Sequence, residues 1–255
     1  MKTEQQKELT DQQIKRRNFI SFTAFGVLGG LAVAGWEWLY KSGPENPGIT
    51  AGAHKPLRRA LNKTELFFRR VFSDNHFVKT YPKSMAAEQV RQNGDLGIEA
   101  PLSNNWRLSV EQASGQKLFI TFDELKSLPK TEIVYDFKCI EGWDQIQHWG
   151  GVKFTDFINH YKLQDQIRKQ YVGFETPDGG YYVGIDMPSA VHPQTILAYE
   201  VNDKPLPMEN GYPLRLIIPV KYGIKSLKRI GSITFSNNRP RDYWAEHGYD
   251  YYSGL

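Results

Sequence analysis

The chain has 255 residues, of which 40% are hydrophobic and 13% aromatic, which is enough for a packed core and excludes a disordered protein. Its net charge of +4 is spread over interspersed basic and acidic residues, so the composition does not indicate nucleic-acid binding. The length favours one domain of about 200 residues with an appendage.

The N-terminal region combines a polar tail, residues 1–18, with an apolar segment, residues 19–40. The run from Phe19 to Trp36 has no charged residue. As a helix it would be about 27 Å long, close to the roughly 30 Å hydrocarbon thickness of a bilayer. Basic residues precede this run, and Trp38 and Tyr40 suit the far interface. The pattern therefore places the N-terminus in the cytoplasm and the rest of the chain outside.

The sequence leaves two possibilities for the apolar segment, cleavage as an export signal or retention as a membrane anchor. The sequence from Arg16 to Ile20 resembles a twin-arginine export signal, which serves proteins that are exported already folded. Ala32 and Ala34 have the spacing of a signal-peptidase site, but the aromatic residues directly after them favour an uncleaved membrane anchor. We expect a chain that is anchored in the cytoplasmic membrane, or exported across it, with its larger part facing the periplasm.

The remaining chain predicts a linker and one folded domain. Glycine and proline in residues 41–53 indicate the linker, and residues 54–255 form the domain. Helical spacing predicts an amphipathic helix from Pro56 to Phe72, and Asp123 is expected to cap a short helix. Many short strands with few helices predict an α+β fold with mixed β-sheets and peripheral helices. Strands are predicted at 106–110, 117–122, 132–137, 171–175, 181–185, 196–201, 215–219 and 231–235, with a helix at 154–161.

The chain contains one cysteine, Cys139, close to the end of a predicted strand that Gly142 breaks. A lone cysteine is most often a small buried apolar residue. If it has a chemical role, that role is as a nucleophile, a redox thiol or a ligand of a soft metal. His148 or His160 would be the base for a nucleophilic thiol, although no catalytic order is recognisable in the sequence.

Two segments carry a family resemblance. Cys139-Ile140-Glu141-Gly142-Trp143, followed by Trp149-Gly150-Gly151-Val152, resembles the molybdenum-ligand segment of the sulfite oxidase and methionine-sulfoxide reductase superfamily. The stretch from Asn210 to Lys228 resembles the segment of that superfamily which binds the cofactor phosphate. The two matches have the right order and separation, and the resemblance extends over residues 54–255.

The resemblance implies a sulfite-oxidase-type molybdopterin-binding domain with a mononuclear molybdenum–molybdopterin cofactor. Cys139 would be the metal ligand, and Glu141 would be a catalytic residue that relays protons. Trp143 and Trp149 are expected to pack rather than to react. The residues that the resemblance assigns to cofactor binding are Asn75, His76, Val78, Lys79, Cys139, Thr176, Asn210, Arg215, Ser226, Leu227 and Lys228.

One departure from the pattern bears on the substrate. Sulfite oxidases have an arginine-bearing segment after the ligand cysteine, whereas this chain has Glu141 there. A carboxylate would repel sulfite by roughly 4 kcal/mol for unit charges about 4 Å apart at an effective dielectric constant of about 20. We therefore expect reduction of a neutral S- or N-oxide, in a small molecule or a protein. Sulfite oxidation and a metal-free, membrane-tethered binding domain remain the alternatives.

The resemblance also implies partners. An oxidoreductase of this kind needs an electron donor, for which we expect a haem electron-transfer protein in the membrane. The chain ends soon after Tyr252, without room for a further dimerisation or haem domain, so a monomeric catalytic subunit is expected. No nucleic-acid partner is expected.

Overall fold

Two β-sheets form the frame of the domain in this computed structural model, which describes residues 10–44, 54–71, 76–103 and 105–255. The first sheet has the strand order β2-β1-β10-β5-β6, and the second has the order β3-β4-β7-β8 with β9 paired to β7. The strands are β1 (Arg107–Glu111), β2 (Lys117–Thr121), β3 (Thr131–Cys139), β4 (Trp143–Lys153), β5 (Tyr171–Glu175), β6 (Tyr182–Asp186), β7 (Ile196–Val201), β8 (Lys204–Pro205), β9 (Arg215–Ile217) and β10 (Ser232–Ser236).

The first sheet is mixed. Strands β1 and β10 pair in parallel, and the other neighbouring strands are antiparallel. Leu108, Val110, Ile233 and Phe235 alternate along β1 and β10 and belong to the main hydrophobic core. The prediction of an α+β fold with mixed sheets is confirmed.

The second sheet is antiparallel and contains the cysteine. Ile133, Tyr135, Phe137 and Cys139 alternate along β3 and belong to a second buried cluster. No strand is predicted from the sequence between Cys139 and the next helix, and this is wrong because β4 fills that region. Glutamines and paired glycines along β4 hide the apolar alternation that usually reveals a strand.

Six α-helices are present in the described ranges. The Thr121 side chain accepts a hydrogen bond from the Glu124 backbone N–H (3.3 Å), and the Glu124 side chain accepts one from the Thr121 backbone N–H (2.7 Å). This reciprocal cap shows that the expected N-cap at Asp123 was wrong, because Asp123 lies inside the helix. The helices are α1 (Asp11–Lys41), α2 (Lys55–Val71), α3 (Phe122–Lys126), α4 (Phe154–His160), α5 (Met187–Ala190) and α6 (Tyr243–Glu246).

Helix α1 contains the predicted apolar segment. It has 31 residues, begins before that segment at Asp11, and has no buried residue. By length and composition it is able to cross a membrane, a property that a signal sequence shares.

Strands β4 and β7 approach each other closely at a bulge between Gly150 and Gly151. A Cβ atom at Gly151 would lie 2.1 Å from the Leu197 carbonyl oxygen, which is backbone and unable to move aside. At Gly150 the nearest atom is the Glu200 carboxylate oxygen, at 3.3 Å, on a side chain that can shift. Glycine is therefore required at position 151, whereas position 150 has room for a side chain.

We expect Gly151→Ala to lower the free energy of unfolding by about 1–3 kcal/mol, because β7 has to move away from β4. Urea denaturation monitored by tryptophan fluorescence measures the change, and Gly150→Ala is the matched control, with little expected effect. Equal destabilisation by the two substitutions would contradict this account of the bulge.

Candidate active site

A cavity of about 160 Å³ opens beside the end of β3. Cys139 is the last residue of β3 and faces Trp143 across a tight turn in which Gly142 has φ +86°. The turn and the strand ladder together fix the position of the sulfur. The cavity is lined by Asn93, Gly94, Leu96, Cys139, Ile140, Glu141, Tyr181, Ile224, Ser226, Lys228, Trp244 and Tyr249.

The Cys139 thiol is buried, with 5% of the residue exposed. Burial raises its pKa, although backbone N–H groups in the following turn act in the opposite direction. In this environment the thiol stays protonated at neutral pH. A thiolate at this position requires a cation beside it, which a metal ion supplies.

Arg215 places a buried positive charge behind the cysteine. Its guanidinium lies 4.7 Å from the Trp149 ring centroid and 5.5 Å from that of Phe137. It donates hydrogen bonds to Asn93 Oδ1 (2.7 Å) and to the Asn210 carbonyl (3.3 Å). Burial lowers the pKa of Arg215 to about 10, so the group remains charged at neutral pH.

Lys228 adds a second cation to this region. Its Nζ lies on the cavity wall and donates to the carbonyl oxygens of Gly94 and Glu209. Burial, reinforced by the charge of Arg215, lowers the pKa of Lys228 to about 7. An anion that binds here would relieve the repulsion between the two cations and favour the protonated lysine.

Two buried hydrogen-bond donors in the same region have no partner within the described ranges. They are Asn210 Nδ2 and Arg215 Nε, and the Ser226 hydroxyl beside them is close to the hydroxyl of Tyr135. Each belongs to a residue that is at most 4% exposed. Buried donors without acceptors are rare in native proteins and call for an explanation. Together with Lys228, they fit a ligand that brings several anionic oxygens.

Two buried ion pairs fix the segment that carries Ser226 and Lys228. Lys221 Nζ lies 2.7 Å from Asp186 Oδ1, and Lys225 pairs with Asp242. Although burial acts in the opposite direction, Lys221 lowers the pKa of Asp186, so this carboxylate stays ionised. Removal of either carboxylate would leave a buried lysine unpaired beside the cavity.

Glu141 lies on the cavity wall beside the turn and is exposed to solvent. Its Oε2 accepts a hydrogen bond of 2.9 Å from Trp143 Nε1. The Trp143 ring stacks on Phe137, at 5.9 Å between centroids, and the Arg91 guanidinium lies 4.6 Å from the Trp143 ring centroid. The carboxylate is thus oriented by an aromatic side chain and still has access to water.

Several residues assigned from the resemblance lie outside this cavity. Asn75 is outside the described residues. His76, Val78 and Lys79 belong to a segment beside β3, where the Val78 backbone exchanges hydrogen bonds of 2.8 Å with the Gln194 side chain. The same segment pairs with β3 at Tyr135 rather than at Cys139. Their cofactor role stays a prediction.

Four further assigned residues lie near the cavity without lining it, namely Asn210 and Arg215, whose contacts are given above, and Thr176 and Leu227. Thr176 is buried at the end of β5, where its hydroxyl donates to Asp178 Oδ1 (2.6 Å) and accepts from the backbone N–H of Tyr181, a residue of the wall. Leu227 is fully buried, and its carbonyl oxygen accepts from the Leu216 backbone N–H (2.8 Å).

Neither histidine proposed for a nucleophilic thiol lines the cavity. His148 lies five residues beyond Trp143 on β4, roughly 16 Å along the strand at 3.3 Å per residue. His160 is the last residue of α4. The thiol therefore has no histidine base in the cavity.

The sequence matches the family described as "oxidoreductase molybdopterin binding domain" over residues 96–244. The chain belongs to this family. The matched range contains Cys139, Arg215, Ser226 and Lys228, and the buried donors fit the phosphate that a molybdopterin brings. The recognition of a molybdopterin-dependent oxidoreductase from the two sequence segments is confirmed.

Relatives in other organisms agree with the family. A protein of Azospira oryzae, provisionally named protein-methionine-sulfoxide reductase subunit YedZ1, is 35% identical over 72% of this chain and 70% of its own length. The protein-methionine-sulfoxide reductase catalytic subunit MsrP of Xanthomonas campestris is 30% identical over 93% of this chain and 75% of its own. The sulfane dehydrogenase SoxCD of Paracoccus pantotrophus shares the fold at TM-score 0.50 and 19% identity, covering 65% of this chain and 46% of that chain.

Sequence reasoning missed part of the cavity wall. Asn93 and Gly94 reach the site from a segment more than 100 residues before Arg215 and Lys228, and Tyr181, Trp244 and Tyr249 complete the wall. The Asn-Gly dipeptide predicts a turn. No local pattern shows which site that turn approaches.

We expect sulfate, an anion that does not titrate near neutral pH, to bind the cofactor-free protein more weakly as the pH rises. Lys228 loses its proton near pH 7, so the affinity should fall by about tenfold per pH unit above that value. Isothermal titration calorimetry between pH 6 and pH 9 measures the slope. Lys228→Met should abolish it, whereas Lys117→Met, at an exposed lysine of β2, should keep it. A slope that persists in Lys228→Met would contradict the assignment.

Proposed function

We propose that this protein is a reductase of neutral S-oxides, with a mononuclear molybdenum centre held by Cys139. One observation supports this most strongly. The only cysteine of the chain shares a cavity with Ser226 and Lys228, beside a group of buried donors that have no acceptor. A thiolate suits a soft metal, and donors without acceptors suit a phosphate.

The chain's own residues serve two parts of the site, one that holds the metal and one that holds the cofactor phosphate. Cys139 is the metal ligand, and because burial raises the pKa of its thiol, binding of the metal would release the thiol proton. Asn210, Arg215, Ser226 and Lys228 hold the cofactor phosphate. We retain the further assignments as part of the proposal, namely Asn75, His76, Val78, Lys79, Thr176 and Leu227.

The reaction consumes a sulfoxide, two electrons and two protons, and it produces a thioether and water. When bound, the molybdenum cofactor supplies the oxygen-atom exchange and the electrons. Glu141 is the catalytic residue that moves protons, because its carboxylate lies on the cavity wall and has access to solvent. Trp143 orients that carboxylate through its indole N–H.

The names of the relatives suggest methionine sulfoxide as the substrate. A sulfoxide is neutral, so the Glu141 carboxylate does not oppose its approach. Sulfite is doubly charged and would meet that carboxylate on the cavity wall. Sulfite oxidation is for this reason the less favoured activity.

We propose that catalysis takes place outside the cytoplasmic membrane. Residues 1–18 would form a cytoplasmic tail with a twin-arginine-like motif, residues 19–40 the anchor, residues 41–53 the linker and residues 54–255 the catalytic domain. The absence of buried residues in α1 supports the anchor. A haem protein of the same membrane would supply the electrons to a monomeric catalytic subunit in the periplasm.

The first test is the molybdenum and pterin content of the full chain, expressed in a host that makes the cofactor. We expect near-stoichiometric molybdenum and reduction of methionine sulfoxide by a reduced viologen dye. Cys139→Ser should lose or alter the Mo(V) resonance and abolish turnover. A folded wild-type protein without molybdenum would contradict the proposal and leave a tethered binding domain. Sulfite oxidation without sulfoxide reduction would contradict the substrate class.

A second variant tests the proton relay. Glu141→Gln should lower kcat by about 10²–10⁴-fold, because a positioned acid or base contributes that much, while molybdenum content stays unchanged. Asp144→Asn, at an exposed carboxylate of the same hairpin, is the matched control with expected wild-type turnover. Wild-type turnover and an unchanged pH profile in Glu141→Gln would exclude the relay.

A further inference from the structure

Helix α2 presents an apolar stripe to solvent. Leu57, Leu61, Phe67, Phe68 and Val71 are between 49% and 60% exposed. At 100° per residue these positions fall within about 120° of the helix surface, which is the width of a face that normally packs on a core. Leu61 and Phe68 line a groove that α2 forms with residues 250–255, and the part of the face that contains Leu57, Phe67 and Val71 lines none of the cavities found in the described structure.

The helix is attached to the domain by a polar side instead. Arg58 and Glu65 are only 3% and 5% exposed, and their seven-residue spacing puts them on one side of the helix. Glu65 pairs with Arg239, whose guanidinium lies 4.4 Å from the centroid of the Tyr251 ring. A surface helix usually turns its apolar side inward, and α2 has the opposite arrangement.

A basic flank borders the apolar stripe. Lys55, Arg59 and Lys63 are exposed and follow one another around the helix from the side of Arg58 toward the apolar stripe, and Lys63 lies next to Phe67 at the edge of the stripe. The sequence of α2 contains six basic residues and one acidic residue. An apolar face with a cationic flank is the pattern of helices that lie in the plane of a membrane surface.

The start of α2 lies at the end of the proposed membrane anchor. The Lys55 backbone N–H donates to the Gly43 carbonyl (3.0 Å), and His54 Nδ1 lies 2.6 Å from the Ser42 carbonyl oxygen. Helix α1 ends at Lys41, shortly after the aromatic residues Trp36, Trp38 and Tyr40. Such residues mark the interface between hydrocarbon and water, so α2 begins at the level of the lipid headgroups.

We propose that α2 is an interfacial helix that docks the catalytic domain on the surface of a bilayer containing anionic lipids. The apolar stripe enters the boundary between headgroups and acyl chains, and the basic flank binds lipid phosphates. The inference rests on the proposed anchor role of α1, and it is independent of the reaction catalysed. Docking through α2 holds one side of the domain against the membrane.

Spin labels on the full-length holoprotein in lipid nanodiscs test the proposal. Leu57→Cys places a label on the stripe, and Leu66→Cys is the matched control, an exposed apolar residue about 180° away around the same helix. Leu28→Cys reports on α1. Cys139 is buried, and wild-type protein treated with the same spin label measures the background signal from this native cysteine. The readout compares collisions of each label with oxygen, which concentrates in hydrocarbon, and with a water-soluble nickel chelate.

In discs with phosphatidylglycerol we expect a roughly threefold higher oxygen-to-nickel ratio at position 57 than at position 66. Reversing the charge of the basic flank, by Lys55→Glu, Arg59→Glu and Lys63→Glu together, should remove that difference. Equal ratios at 57 and 66, with position 28 in lipid, would overturn the docking and leave the anchor intact. A label at 57 shielded from both reagents would indicate a protein on the stripe and overturn the proposal. A water-exposed label at 28 would overturn the anchor, and persistent contact after charge reversal would overturn the role of anionic lipid.

Discussion

The buried guanidinium of Arg215 is the constraint on which the candidate site depends. A buried charge is costly unless it is paired, yet among the described residues no carboxylate lies within ion-pair distance of it. Asn93 and a backbone carbonyl accept its protons, and the faces of Trp149 and Phe137 enclose it. Its Nε remains without an acceptor. The fold therefore maintains a positive charge whose full compensation has to come from a ligand.

This charge explains other properties of the site. It helps to lower the pKa of Lys228, and it interacts electrostatically with Cys139. Strands β3 and β4 each contribute an aromatic ring to the surroundings of this charge, and β9 carries Arg215 itself. The second hydrophobic cluster is thus organised around a cation as well as around apolar side chains.

The sequence predicted those parts of the fold whose signals are local. The strands β5 and β6 were predicted because aromatic and β-branched residues flank a glycine-rich turn there. Strand β4 was missed because its glutamines and glycines lack apolar alternation. The cap at Asp123 was wrong because the Thr121 and Glu124 pair satisfies the same backbone groups better. Periodicity gave the amphipathic character of α2, but a period does not tell which side of a helix turns toward the domain.

The site was predicted in a similar, partial way. The resemblance named Cys139, Ser226 and Lys228, and these residues line one cavity. Asn93, Gly94 and Trp244 were not predicted, because their approach depends on contacts between distant segments of the chain. The positions of His76 and Val78 beside β3 likewise follow from tertiary hydrogen bonds to His192 and Gln194.

The ladder between β3 and β4 has a consequence for chemical identity. Cys139 is paired with Trp143, and Lys138 with Asp144. A shift of this pairing by one residue would turn each β3 side chain to the opposite face of the sheet. The cavity would then receive the ammonium group of Lys138 or the branched alkyl side chain of Ile140 in place of the Cys139 sulfur, although the sequence is unchanged. The aromatic residues of this hairpin, which oppose such a shift by their burial, thereby determine which chemical element faces the cavity.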